Sequence, residues 1–178
     1  ASGYPAATGI GTQHGGILVD FNAVKGGIEI IPLDNDWQRA AHVYSDEVLI
    51  SHRTDAEKGT PKFERGKSLS DHQQEMIYIS GTAAIRGEES IVTGDVLVQT
   101  EITLENIQHL IGLEEGREKL PEHSGKLELL RVYLKHEEDA KIVKEDMDKL
   151  CPDVPIVYLY ADVCREELLV EIEGIAYL

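Results

Sequence analysis

The sequence has few cysteines and no long apolar run, and each shortage excludes a class of protein. Its two cysteines, Cys151 and Cys164, form neither a CxxC pair nor a disulfide framework, so we expect a reducing, cytoplasmic environment. No apolar stretch approaches about 18 residues and no signal peptide is visible, so we expect a soluble protein with no membrane partner.

Basic residues are also scarce. Seventeen Lys and Arg residues stand against 33 Asp and Glu residues, which gives a net charge of −16. Because such a chain repels phosphate backbones and no Lys/Arg cluster is visible, the sequence predicts no nucleic-acid partner. A small anionic substrate is compatible with this charge, since one or two well-placed arginines suffice to bind it.

Metal and cofactor motifs are missing as well. The seven histidines never form an HxH or HExxH spacing, so the sequence predicts no metal site. No Walker or GxGxxG pattern lies between a strand and a helix, and Gly9-Ile10-Gly11 has no helix after it, so we expect no cofactor.

Regular patterns are concentrated from residue 75 onward. One apolar helix pattern follows Thr93 and Asp95, either of which can cap its free amides, and a second begins at Glu138 or Asp139. This order predicts an α+β fold, a β-α-β-α-β-β layer with two helices on one face of a mixed sheet. The strand patterns occupy 76–82, 127–135, 154–160 and 168–176, with a segment at 84–92 that turns back from the first.

The first part of the chain is less regular. Residues 17–24 have a strand pattern, and the Gly26-Gly27 turn predicts that 27–33 pairs back onto them as a hairpin. Residues 38–74 show little periodicity and indicate a long loop, which is either functional or a linker.

The last strand carries the most informative pattern. Because side chains alternate along a strand, Val170 and Ile172 point to a face that can pack on helices, and Glu171 and Glu173 point to the other. Two carboxylates on one strand face indicate either a solvated face or the lining of a cavity. The strand alone leaves both interpretations open.

Four stretches lie in order and well spaced at 77–83, 94–107, 131–135 and 170–176. Together they resemble the RidA/YjgF family over about residues 75–178. The resemblance implies a homotrimer with its helices outside and ligand sites at subunit interfaces, beside the inner sheet faces. One position departs from the family: its deaminases have an Arg directly after a Pro at the start of the penultimate strand, whereas here Pro155 is followed by Ile156.

A further set of stretches extends the similarity over nearly the whole chain: 4–12, 32–35 and 61–66 in the first part, and 80–85, 87–90 and 161–165 in the second. They resemble the chorismatase branch of the same superfamily, two-lobed relatives that hydrolyse the enolpyruvyl ether of chorismate. This resemblance implies that residues 1–70 are a partial N-terminal lobe and that 71–178 form a RidA-like domain, in a chain that is either a fragment or a shortened relative.

The resemblance assigns chemistry to particular residues. Cleavage of an enol ether requires a general acid, and two neighbouring carboxylates raise the pKa of one of them, so Glu171 and Glu173 are the catalytic candidates. Glu171 is preferred because it matches the site-facing glutamate of the family. Substrate carboxylates call for arginine, and the candidates are Arg65 and Arg131. Further substrate contacts are predicted at Tyr44, Gly81, Thr82, Ala83 and Cys164.

Three hypotheses follow, and each residue above also has a structural alternative such as a surface ion pair or core packing. The favoured one is a chorismatase-like hydrolase that releases pyruvate from chorismate or a related small anionic substrate. The second is an enamine/imine deaminase of the RidA type, against which Ile156 counts. The third is a non-catalytic ligand-binding or interaction protein of the same fold.

Overall fold

The computed structural model describes residues 3–12, 15–49, 58–71, 73–112 and 126–178. Its main element is a six-stranded sheet with strand order β1-β2-β3-β8-β6-β7. The strands are β1 (Glu29–Leu33), β2 (Gly66–Ser70), β3 (Glu75–Thr82), β4 (Ile85–Arg86), β5 (Glu89–Ser90), β6 (Lys126–Leu134), β7 (Ile156–Tyr160) and β8 (Val170–Tyr177); β4 and β5 form a separate small hairpin.

The sheet is mixed. All of its neighbouring strands are antiparallel except β6 and β7, which are parallel and are joined through a helix. The last strand, β8, lies between β3 and β6 and is therefore central. A β-bulge interrupts the pairing of β3 with β8 between Ile79 and Thr82.

Both α-helices, α1 (Val96–Ile111) and α2 (Ala140–Leu150), pack on one face of this sheet. Asp95 caps α1, because its Oδ1 accepts hydrogen bonds from the amides of Leu97 at 2.9 Å and Val98 at 3.4 Å. Gly112 ends the helix in the left-handed conformation, with φ of 78°. The core is formed by residues that alternate along the strands together with the apolar stripes of the helices: Leu130, Val132, Leu134, Val170, Ile172, Leu104, Ile107, Val143 and Met147.

From residue 75 onward, the predicted order of strands and helices is confirmed. The α+β class, the mixed sheet and the placement of both helices on one face are as the sequence indicates. The choice between two N-caps for α1 is resolved in favour of Asp95, and a short 3-10 helix, Glu137–Asp139, precedes α2.

The predicted hairpin of 17–24 with 27–33 is wrong. Gly26 and Gly27 do adopt left-handed φ angles of 52° and 76°, but β1 pairs with β2, and residues 17–24 form no strand. Ile17 is 93% exposed, so the apolar alternation that favoured a strand is not matched by burial within the described residues. The Gly26-Gly27 pair therefore predicted the local backbone conformation correctly, but it did not predict which strand pairs with β1.

The predicted loop at 38–74 is partly wrong, since it contains β2. Both β1 and β2 fall inside the predicted first lobe, yet they hydrogen-bond into the same sheet as β3. The boundary at residue 70 stays a prediction, and the sheet crosses it. Among the described residues, neither helix combines the length and the hydropathy that a membrane-spanning segment needs.

Candidate active site

The two glutamates of β8 lie on the sheet face opposite the helices. Their neighbours Val170 and Ile172 are fully buried in the core, so the alternation of the strand directs Glu171 and Glu173 away from it. In the register of the sheet, Arg131 and Tyr133 of β6 stand directly beside Glu173 and Glu171 on that face. The two carboxyl groups nevertheless have different surroundings.

Glu171 is only 6% exposed, and no hydrogen bond to its carboxyl group is present among the described residues. Its Oε1 lies against the backbone of Gly81, where a Cβ atom would overlap it. Thr8 adjoins the same point, with its Cγ2 at 2.8 Å from the position of that Cβ, and its Oγ1 accepts the Gly81 amide at 2.8 Å. The close approach requires glycine at position 81.

The surroundings of Glu171 raise its pKa to about 7. Burial is the largest cause, because it disfavours the charged form, and the nearby charge of Glu173 acts in the same direction. The positive charge of Arg65 lowers the pKa and therefore offsets part of this effect. A carboxyl group with these properties can hold and deliver a proton near neutral pH.

Glu173 is paired with one cation and one hydroxyl group. Its Oε1 accepts hydrogen bonds from Nη1 of Arg131 and from the hydroxyl of Tyr133, both at 2.7 Å. Burial raises the pKa of Tyr133 to about 12, so this phenol stays a hydrogen-bond donor. The guanidinium of Arg131, predicted as a substrate contact, is engaged by Glu173 and has a side chain that is 42% exposed.

Arg65 is a buried cation near Glu171. It is 4% exposed, and its Nη2 donates to the carbonyl of Arg39 at 2.7 Å and to the hydroxyl of Tyr44. Its Nε is buried without a hydrogen-bond partner, and no carboxylate forms an ion pair with it among the described residues. A buried guanidinium without an ion-pair partner is costly, and such a group is typical of a site that binds an anion.

The remaining predicted contacts divide into two groups. Cys164 is an exposed residue whose thiol lies near Glu171: partial desolvation raises the pKa of the thiol, and so does the charge of Glu171. Thr82 and Ala83 instead have internal partners, since the Thr82 hydroxyl donates to the carbonyl of Ser80 at 2.9 Å and Ala83 packs in a small apolar cluster. The structure thus brings Glu171, Gly81, Arg65, Tyr44 and Cys164 together, and it pairs Glu173 with Arg131.

The segment 4–12 runs across this end of the sheet. The carbonyl of Pro5 accepts the Glu64 amide at 2.9 Å, the Ala7 amide donates to Ser80 Oγ at 3.0 Å, and Gly11 exchanges two backbone hydrogen bonds with Asp162. Together with Thr8, these contacts hold the segment over the point where Gly81 and Glu171 meet. It therefore contributes to the burial that raises the pKa of Glu171.

Sequence reasoning missed two residues of this region. Thr8 lies in the matched stretch 4–12 but has no motif that marks its contact with Gly81. Arg165 closes the matched stretch 161–165, and the structure places it 5.5 Å from the ring of Tyr44. An arginine beside a predicted pocket cysteine was the available signal for the second.

Other features of the described residues do not compete with this site. A cleft of about 380 Å³ lies elsewhere and is lined by none of the predicted site residues. It runs along the turn after β1 and the end of α1, where His109 contacts Asp36 and stacks on Trp37 with ring centroids 4.0 Å apart. Among all the described residues, no group of three His, Cys, Asp or Glu side chains is arranged to hold a metal ion.

No protein-family model matches the sequence. A chorismatase of Streptomyces rapamycinicus is 35% identical to it over 179 residues, which cover 96% of this chain and 50% of that protein. A 3-hydroxybenzoate synthase of Streptomyces hygroscopicus is 33% identical over 185 residues, covering 97% of this chain and 50% of that protein. The chain thus spans about half the length of the curated relatives it matches.

Solved structures agree with these relatives. A chorismatase crystal structure superposes with a TM-score of 0.72 and 28% identity, over 97% of this chain and 50% of that one. The YjgF gene product of E. coli superposes with a TM-score of 0.53 and 15% identity, over 82% of this chain and 97% of that one. The sheet order, the two helices on one face and these likenesses define a protein with the RidA/YjgF-like fold. Within that class, its sequence and structure resemble the chorismatase branch.

Proposed function

We propose that the protein is a chorismatase-like hydrolase, which cleaves the enolpyruvyl ether of chorismate or a related small anionic substrate. The observation that carries the proposal is the buried carboxyl group of Glu171, with a pKa of about 7, near the buried guanidinium of Arg65, which forms no ion pair within the described residues. The sequence similarity to chorismatases supports the choice of reaction.

The reaction assigns a role to each group. Protonated Glu171 delivers its proton to the methylene carbon of the enol ether, which leaves an oxocarbenium ion at the ether carbon. Water adds to that carbon and gives a proton back to the Glu171 carboxylate, which forms a hemiketal. The hydroxyl proton of the hemiketal passes to the ring oxygen as the bond from carbon to that oxygen breaks, so pyruvate leaves and the ring product keeps the oxygen as a hydroxyl. Arg65 binds a substrate carboxylate, with Tyr44 as its neighbour, and Gly81 gives the space that Glu171 needs.

Glu173 is assigned a supporting role. Arg131 and Tyr133 already donate to its Oε1, so it is less suited than Glu171 to give up a proton. Its charge instead helps to keep Glu171 protonated. Ile156 packs against the hydrophobic core, so the position that carries arginine in deaminases of the RidA type offers no cation here.

We also propose a cytoplasmic homotrimer that needs no cofactor. Val157 and Leu159, whose register partners are Arg131 and Tyr133, are 46% and 38% exposed, so the site face of the sheet has an apolar part that another copy could cover. Light scattering after size-exclusion chromatography tests the oligomeric state: a mass of three chains supports the trimer and a mass of one chain excludes it.

The experiment for the activity measures pyruvate released from chorismate by the purified protein. Release is expected from the parent, and Glu171→Gln is expected to abolish it because a glutamine cannot deliver the proton. Glu101→Gln, an exposed glutamate of α1, is the matched control and retains the parental rate. No pyruvate from the parent would exclude the proposal. Keto-acid release from an imine made in situ would then indicate a deaminase, and a rise in melting temperature with chorismate alone would indicate a binding protein.

A further inference from the structure

Arg165 is a buried cation that the proposed reaction does not use. It is 8% exposed and lies in the turn between β7 and β8. Its Nη1 donates to the carbonyl of Glu88 at 2.8 Å and to Ser90 Oγ at 2.9 Å, which ties this turn to the β4–β5 hairpin. Its guanidinium carbon lies 5.5 Å from the ring centroid of Tyr44, within range of a cation–π interaction.

Tyr44 stands between this arginine and the proposed substrate site. Its hydroxyl contacts Nη2 of Arg65, whose guanidinium carbon is also 5.5 Å from the ring centroid. Glu88 holds the same region from the other side, since its carboxylate accepts hydrogen bonds from the amide of Ser45 at 2.9 Å and from Ser45 Oγ at 2.6 Å. The backbone of Glu88 thus fixes Arg165, and its side chain fixes the residue after Tyr44.

The Arg65 guanidinium lies near the rings of Tyr44 and Phe63, and few hydrogen bonds set its direction. Its Nη2 has two acceptors, the carbonyl of Arg39 and the hydroxyl of Tyr44, while its Nε has no partner among the described residues. Displacement of Tyr44 therefore removes one of the two hydrogen bonds that orient this group within the described part of the chain.

We propose that Arg165 is a positioning residue, which holds the ring of Tyr44 so that the Tyr44 hydroxyl aims the Arg65 guanidinium at a substrate carboxylate. Arg165 acts through Tyr44 and touches no reacting atom. The inference rests on the proposed function, because it assigns to Arg65 a carboxylate of the substrate.

The first test measures kcat and KM for chorismate in Arg165→Gln, Arg165→Lys, Tyr44→Phe and the double variant Arg165→Gln/Tyr44→Phe. In Arg165→Gln the Arg65 guanidinium is expected to lose its orientation, which weakens its charged hydrogen bond to the substrate carboxylate. We expect KM to rise roughly ten- to hundredfold, with little change in kcat. Arg165→Lys, which keeps a cation that can donate to the Glu88 carbonyl, is expected to restore part of the affinity.

The double variant separates positioning from two independent effects. If both residues act along one path, Arg165→Gln/Tyr44→Phe has the KM of the worse single variant rather than the product of both increases. Lys135→Gln is the matched control, because Lys135 donates to the carbonyls of Arg165 and Glu166 and so holds the same turn without contacting Tyr44. It is expected to leave KM unchanged, and an equal increase there would assign the effect to the turn and overturn the proposal.

A second measurement does not depend on the reaction. Phenylglyoxal modifies accessible guanidinium groups, and peptide mass spectrometry reports the rate at Arg65. We expect this rate to rise in Arg165→Gln and Tyr44→Phe and to stay at the parental value in Lys135→Gln. If the parent releases no pyruvate but the rate still rises, the proposed function fails and the positioning role stands. If the parent is active while KM and the rate at Arg65 are unchanged in Arg165→Gln, the positioning role fails.

Discussion

The carboxyl oxygen Oε1 of Glu171 occupies space that any side chain on Gly81 would fill. The two residues belong to neighbouring strands, and the β-bulge between Ile79 and Thr82 brings the Gly81 backbone against the carboxyl group. The proposed proton donor, Glu171, can therefore take this position only because Gly81 has no Cβ atom.

Gly81→Ala is expected to lower kcat/KM by roughly a hundredfold or more, because the new methyl group displaces the carboxyl group by more than a catalytic contact tolerates. Gly59→Ala is the control, since nothing lies within 4 Å of its Cβ position and its φ is not in the left-handed range. Both rates are measured with chorismate, and the fold of each variant is checked by circular dichroism. Parental activity in Gly81→Ala would show that Glu171 can move without cost.

The value of kcat/KM is expected to fall as pH rises through about 7. The reaction uses protonated Glu171, and its pKa is about 7, so activity is high below this pH and is lost tenfold per unit well above it. Pyruvate release at low substrate concentration measures this profile. A descending limb near the ordinary pKa of a glutamate would contradict the assignment.

Two charge-removing variants are expected to shift that limb in opposite directions. The charge of Glu173 raises the pKa of Glu171, so Glu173→Gln moves the limb to lower pH. The charge of Arg65 lowers it, so Arg65→Gln moves the limb to higher pH and also weakens substrate binding. The same pyruvate assay measures both profiles, with Arg65→Lys as the variant that keeps the charge. Shifts of the same sign would mean that these groups do not act on Glu171 through their charge.

The sequence predicted the sheet from residue 75 onward because each of those strands has its own apolar period and each helix its own start signal. Asp95 and the stripe of Leu104 and Ile107 are local features, and local features suffice there. The partner of β1 could not be predicted in this way. The pairing of Ile30 with Leu69 joins residues 39 positions apart, and only burial in the complete sheet selects it over the neighbouring apolar segment 17–24.

In the candidate site, too, local sequence features were predicted and contacts between distant residues were not. Alternation on β8 was enough to place Glu171 and Glu173 together on one face. It could not tell which of them is paired, because Arg131 meets Glu173 only through the register of β6 with β8. Thr8 and Arg165 were missed since their partners, Gly81 and Tyr44, lie 73 and 121 positions away in the chain.

Because of Glu171, the folded protein is expected to lose stability as pH rises from about 4.5 to 7. Its pKa is about 7 in the folded state and near 4.5 when unfolded, so the folded state binds more protons in this window and the free energy of unfolding falls with pH. Glu171→Gln removes this contribution. Its free energy of unfolding, measured by urea titration at each pH, should therefore gain on the parent by roughly 3 kcal/mol between pH 4.5 and 8. In Glu101→Gln the difference from the parent should stay flat, because that residue is exposed on α1. A flat difference for Glu171→Gln as well would mean that its carboxyl group is ionised in the folded protein, and a general acid would then have to be sought elsewhere.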